Sequence, residues 1–138
     1  MSITSNRSII RKAANIATIL FGITGVLQLL LAIGILPVSM AWGGRQPVLT
    51  TSLRISSLVA IVILAFFAFV IRRRAKLVDG VAVPMIIKIL SWVITAYMAL
   101  NTLGNLTSLS LGEKILFGPI AFLLTVSCLL ISLSKSEA

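Results

Sequence analysis

The chain has 138 residues, of which 59% are hydrophobic and 11% charged, and its twelve Lys and Arg against three Asp and Glu give a formal net charge of +9. Ordinary soluble domains hold about 45–50% apolar and about 25% charged residues, and domains of this size leave much of their surface in water. A mean hydropathy of +1.15 therefore excludes an ordinary water-soluble globule. With no histidine and a single cysteine, Cys128, His-metal sites, haem ligation, His general bases and an internal redox cysteine pair are also excluded. No metal and no cofactor is expected.

Four apolar blocks follow one another, at about 13–36, 53–71, 81–103 and 113–133. Each matches the ~20 helical residues that cross a hydrocarbon core of about 30 Å. In lipid every backbone group must pair within the protein, which leaves helices or closed barrels. The blocks lack the alternation of barrel strands, so all four are predicted to be transmembrane helices.

The first block follows Arg7, Arg11 and Lys12, a basic run like that of a signal peptide. Its apolar core exceeds the 7–15 residues of a signal h-region, so it is read as an uncleaved span. Pro37 is expected to end it. Arg11, Asn15, Thr18, Gly22 and Gly25 share one helical face, whose small residues predict close packing against another helix. Gln28 lies off that face and needs a hydrogen-bond partner, which a third-helix hydroxyl could supply. A turn follows at Trp42, Gly43, Gly44, Arg45, Gln46 and Pro47, with Trp42 suited to the aromatic belt.

Thr50, Thr51 and Ser52 offer N-cap oxygens to the second helix. That helix is apolar all round, which predicts that it faces lipid. Arg72, Arg73, Arg74 and Lys76 are expected to stop it and to face anionic headgroups, each charge contributing about 1 kcal/mol. Asp79-Gly80 marks a turn. Pro84 suits the first turn of the third helix. There Lys88, Ser91, Thr95, Met98, Thr102 and Asn105 fall on one stripe, with Asn101 at its flank. Ser110-Leu111-Gly112-Glu113 matches a capping box for the fourth helix, and Gly118-Pro119 predicts a kink near its entry. Cys128 reads as a small packing residue.

Short connections predict an all-α integral membrane four-helix bundle, up-down-up-down, forming one domain over 1–138. Nine basic residues precede the first helix, fill the second loop and its flank, or end the chain, whereas Arg45, Arg54 and Lys114 lie on the other side. The positive-inside rule then places both termini in the cytoplasm. The compact chain, without an organelle signal, points to a bacterial cell membrane.

Three groups of residues could carry function. Trp42, Arg45, Arg54, Asn101, Asn105 and Glu113 gather on the predicted outer face, where they form either a polar site or no more than a turn, a cap and an ion pair from Glu113 to Arg45, Arg54 or Lys114. Lys88, Ser91, Thr95 and Thr102 form a packing seam or line a polar path. Arg72, Arg73, Arg74 and Lys76 form a patch toward the lipid. The expected partners are anionic lipid headgroups and another membrane protein or a second copy. Nucleic acid is not expected, because the cations lie between apolar blocks rather than on a soluble face. The chain resembles the small four-helix multidrug exporters in size and helix count, but it lacks the acidic residue their mechanism requires in the first helix. The reading is thus a non-enzymatic accessory, regulatory or immunity-type subunit acting through helix contacts. The alternative is a small carrier or channel module for a neutral or anionic solute, closed by dimerisation.

Overall fold

A computed structural model of the chain describes residues 2–45 and 47–136, so Gln46 of the predicted turn lies outside the described residues. All regular structure among them is helical: α1 (Arg7–Ala32), α2 (Thr51–Ala75), α3 (Met85–Leu106) and α4 (Gly118–Ser132), with short 3-10 turns in the connections and a π-helical turn, Glu113–Phe117, leading into α4. All four helices are long and apolar enough to cross a membrane once the π turn is counted with α4.

The helix limits follow local chemistry. Asn6 caps α1 by accepting from the N–H groups of Ser8 and Ile9, so the helix starts six residues before the apolar block. Gly34, at φ 83°, ends it ahead of Pro37, and Ile35 N–H returns to Leu30 C=O. Thr50 caps α2 through Leu53 N–H at 3.2 Å. The arginine run does not stop α2, because Arg is a good helix former and cations suit a helix C-terminus. The chain turns only at Gly80, φ 80°. Pro84 restricts the residue before it, so α3 starts at Met85 rather than at 81. Ahead of Pro119 the backbone widens into the π turn, with Gly118 N–H bonding Glu113 C=O. A proline ring clashes with the carbonyl four residues back, and the extra residue in the turn relieves that clash.

The helices form an antiparallel ring in chain order. α1 packs on α2 and α3 on α4 most extensively, α1 and α4 close the ring, and α2–α3 is the thinnest neighbouring interface. The core joins Ile10, Ala17 and Phe21 of α1 to Val70 and Ile71 of α2, Ile94 and Met98 of α3, and Leu124, Cys128 and Ile131 of α4. α1 achieves its close approach with Ala13, Ala14 and Ala17, which are buried. This corrects the expected packing face. Nothing lies within 4 Å of where a Cβ would stand on Gly22 or Gly25. Arg11 reaches Asp79 at 2.8 Å, and Asn15 and Thr18 accept from Arg72 at 3.4 and 3.2 Å.

α2 is mostly exposed along its apolar length, but its last two turns are not. Arg74 was expected to face headgroups. It is only 5% exposed and donates to Ser134 Oγ at 2.9 Å, Ser132 C=O at 2.8 Å and Ser134 C=O at 3.0 Å. The carbonyls at the end of α4 have no intrahelical donors, and the guanidinium fork supplies them. Lys135 N–H then bonds Thr4 C=O at 2.9 Å, so the two chain ends are held together. Arg73 is half-buried, and Arg72 and Lys76 are exposed.

The third-helix stripe divides. Thr95 meets Ser132 Oγ at 3.1 Å and Thr102 meets Thr125 Oγ1 at 3.1 Å, each hydroxyl also bonding its own helix backbone. Ser91 is fully buried and bonds the Lys88 carbonyl. Thr95 and Thr102 thus form the α3–α4 packing seam, with Ser91 buried and Lys88 half-buried on the same stripe.

Arg74→Met should lower the thermal midpoint in detergent, because the carbonyls of Ser132 and Ser134 lose their donors at a cost of about 2 kcal/mol. Arg73→Gln should leave it unchanged. Thr95→Leu should also destabilise, by crowding the seam and leaving Ser132 unpaired. Circular dichroism melts of the three variants, side by side, check all three outcomes.

Candidate functional site

The end of the bundle away from the termini is held by one carboxylate. Glu113 is 7% exposed. Its Oε1 accepts from Gly43 N–H at 3.2 Å and its Oε2 from the Ser108 hydroxyl. Ser108 Oγ also accepts from Ser110 N–H at 3.0 Å, and Ser110 Oγ accepts from Glu113 N–H at 3.3 Å. Only half of the expected capping box therefore forms. The Glu113 side chain reaches across to the α1–α2 connection instead of back to Ser110 N–H. Among the described residues Glu113 pairs with no basic side chain, which corrects the expected ion pair to Arg45, Arg54 or Lys114. A carboxylate offers about four lone-pair directions, so two accepted bonds leave capacity for another donor.

The connection is shaped to meet that carboxylate. Gly43 and Gly44 stand at φ 79° and 71°, and Trp42 at φ 55°. A non-glycine residue there is strained by about 1–3 kcal/mol and persists only where its surroundings fix it. A Cβ on Gly44 would lie 2.8 Å from Ser110 N, so the backbones touch at that point. Gly112 sits as closely against the Met40 side chain.

Beneath this latch lies a cavity of about 220 Å³, walled by all four helices. On the α4 side it runs from Glu113 to Leu124, about 16 Å of helix rise, so it occupies the half of the bundle away from the termini. Trp42 and Glu113 line its end at the latch, and Gln28, Tyr97, Asn101 and Asn105 line its wall. α2 contributes only Ala60, Ile63, Leu64 and Phe67. Phe67 packs edge-on against Tyr97 at 5.5 Å and against Phe21 at 6.0 Å, making an aromatic floor. Between α2 and α3 the cavity is open, and there Ile63, Tyr97 and Asn101 are exposed.

Of the six residues expected at this face, Trp42, Asn101, Asn105 and Glu113 come together around the cavity. Arg45 and Arg54 are exposed and do not line it. Gln28 does not find a third-helix threonine, because Thr95 and Thr102 turn toward α4. Its Oε1 is buried with no hydrogen-bond partner among the described residues, and Gln28 lines the cavity. Tyr97 escaped the sequence reading, although its i, i+4, i+8 spacing with Asn101 and Asn105 was the available signal. Chemically the wall presents acceptors and amides over an apolar floor. It holds no nucleophile–base pair, and no group of three or more His, Cys, Asp or Glu that could hold a metal occurs among the described residues.

No family model, curated protein or solved structure matches the chain.

Gly44→Ala should unseat the latch, since the new methyl meets Ser110 backbone and must move it. A lower thermal midpoint together with a shifted Trp42 emission is the expected result, with Gly80→Ala, whose Cβ meets nothing within 4 Å, separating steric effects from those of positive φ. Trp92, the other tryptophan, is replaced by Phe in both so that emission reports Trp42.

Proposed function

We propose that this chain is a non-enzymatic, multi-pass membrane protein with both termini in the cytoplasm, and that its outer-half cavity binds a small lipid-soluble molecule bearing a hydrogen-bond donor or a positive charge. The membrane reading is supported by four helices long and apolar enough to span. The orientation is supported by the basic residues of the N-terminal segment, the 72–76 run and Lys88, which stand at the end bearing the termini. The cell membrane, and a bacterial one, is the setting proposed.

One observation carries the ligand reading: the cavity wall contains a buried acceptor without a partner, Gln28 Oε1, together with a carboxylate that no cation neutralises. Buried acceptors left empty cost about 1–3 kcal/mol each, and a donor-bearing guest would satisfy them. The sign of the wall also revises the earlier solute. With Arg45 and Arg54 away from the cavity, a neutral or cationic guest suits it better than an anionic one. The opening between α2 and α3 gives entry from the lipid side, and the aromatic floor suits an apolar tail.

A second reading has its own observation. Asn101 is exposed beside the α2–α3 opening, and an amide facing lipid gains from a hydrogen-bonding helix. An accessory subunit docking there, or a second copy, would satisfy it.

Labelling of single cysteines in a Cys128→Ala background tests the cavity. Position 101 should react with a water-soluble maleimide and position 102, in the α3–α4 seam, should not. For the ligand, a fluorescent primary-ammonium amphiphile should bind the purified protein more tightly than an alkyl sulfate of equal length. Glu113→Gln should weaken the former roughly tenfold, about 1.4 kcal/mol. Equal binding of the two probes would refute the ligand reading. A photocrosslinker at position 101 that captures another polypeptide would favour the docking reading instead.

A further inference from the structure

A second concave surface lies at the opposite end of the bundle, between α1 and α2, and none of the roles above uses it. It is lined by Arg11, Asn15, Arg72 and Lys76, with Ala14 and Ala75 at its base and Asp79 at its rim, and encloses about 260 Å³. Asp79 is engaged by Arg11 at 2.8 Å, which leaves the groove net positive. Arg72 spends one nitrogen, Nη1, on two neutral acceptors, Asn15 Oδ1 and Thr18 Oγ1. A guanidinium has five N–H donors, so most of its fork stays open. The Lys76 ammonium has no hydrogen bond or ion pair among the described residues. The charges stand at the boundary of the apolar spans, where α2 changes from Val70-Ile71 to Arg72.

The surface that continues from this groove is as informative as its charge. On α1 the face of Arg11, Asn15 and Thr18 runs on into Gly22 and Gly25, where nothing stands within 4 Å of a would-be Cβ. On α2 the face of Arg72 runs on, at i−7 and i−14, into Ala65 and Leu58, both exposed. A cationic pocket thus leads directly into a shallow apolar trough between two helices. A trough of glycine and alanine usually admits another helix, but no helix of this chain fills it. The cations at its end select what does.

We propose that this groove is a seat for one anionic phospholipid: its phosphate lies among Arg11, Arg72, Lys76 and the Asn15 amide, and one acyl chain lies along Gly22 and Gly25. Arginine binds phosphate oxygens through two parallel N–H bonds, and the open fork of Arg72 provides that geometry. Lys76 adds a point charge, and Asn15 can donate through its amide NH₂. The seat rests on the membrane reading but is separate from the cavity, so either site can fail without the other.

Native mass spectrometry of the delipidated, full-length protein tests the seat by titration with phosphatidylglycerol or phosphatidylcholine of the same chains. Phosphatidylglycerol should bind at least tenfold more tightly. The Arg72→Gln/Lys76→Gln double variant should lose roughly 25-fold in that affinity, each charge near the surface contributing about fivefold. Arg73→Gln should bind as the wild type does. Gly22→Leu fills open space, so it should keep the thermal midpoint yet weaken phosphatidylglycerol binding. Free glycerol phosphate should compete only weakly. Equal affinity for the two lipids, or a double variant that still prefers phosphatidylglycerol, overturns the proposal. Glycerol phosphate binding as tightly as the lipid, with Gly22→Leu inert, would assign the groove to a soluble phosphate ester and overturn the lipid seat. A wild-type dimer that Gly22→Leu converts to monomer would overturn it in favour of a second copy in the trough.

Discussion

The constraint on which this structure rests is that a polar group inside an apolar bundle has no water to fall back on, so it must find its partner within the chain. The α-helices meet this for their own backbones, but each helix end leaves carbonyls or N–H groups over. The two ends of the bundle solve that problem with opposite charges. At the end bearing the termini, Arg74 donates to the last carbonyls of α4 and so ties α2 to the C-terminal segment. At the far end Glu113 accepts from Gly43 N–H and so ties α4 to the α1–α2 connection. Each link runs between elements distant in sequence, and together they close the ring at both ends.

That arrangement explains why the interior is divided. Near the termini the core is filled by Ile10, Ala17, Val70, Ile71, Cys128 and Ile131, all fully buried. In the other half lies the cavity, α2–α3 being the thinnest neighbouring interface, and the aromatic trio Phe21, Phe67 and Tyr97 stands between packed core and cavity. The seam of Thr95, Ser132, Thr102 and Thr125 keeps α3 on α4 through both halves. α2 is therefore the wall whose C-terminal end joins the core and whose middle turns line the cavity. That is the geometry a side entrance requires.

The helices were legible because composition and length decide them: an apolar block of about 20 residues has few other solutions. Their ends were less so. Asn6 and Gly34 shift α1 toward the N-terminus by cap and αL geometry, signals weaker than the hydropathy of 13–36. The polar stripe of α3 was visible in its spacing, but spacing cannot say which neighbour it meets. It meets α4 through Thr95 and Thr102, while Asn101 and Asn105, one helical step round, look into the cavity. Arg74 was misread for a related reason. Four cations within five residues look alike in sequence, yet at 100° per residue they point in different directions, and only Arg74 points at the carbonyls of α4. Glu113 resembled a cap because it stands three positions after Ser110. That the carboxylate is drawn instead to Gly43, seventy residues away, is a tertiary fact with no local trace.

The same angular argument shows how one short cationic run serves two purposes. Arg74 is removed from any headgroup by burial, and it contributes by satisfying backbone oxygens. Its neighbours at 72 and 76 lie on the other side of α2, where Arg72 bridges to Asn15 and Thr18 of α1 and Lys76 faces outward. Losing Arg74 would disturb the fold from inside, whereas losing Arg72 and Lys76 would remove two exposed hydrogen bonds to α1 and the charge that the surface presents. A helix that carries a structural cation and a recognition surface within two turns needs no additional element for either. In a chain of 138 residues, most of it committed to four helices, that economy is what leaves room for a cavity at one end and a charged groove at the other.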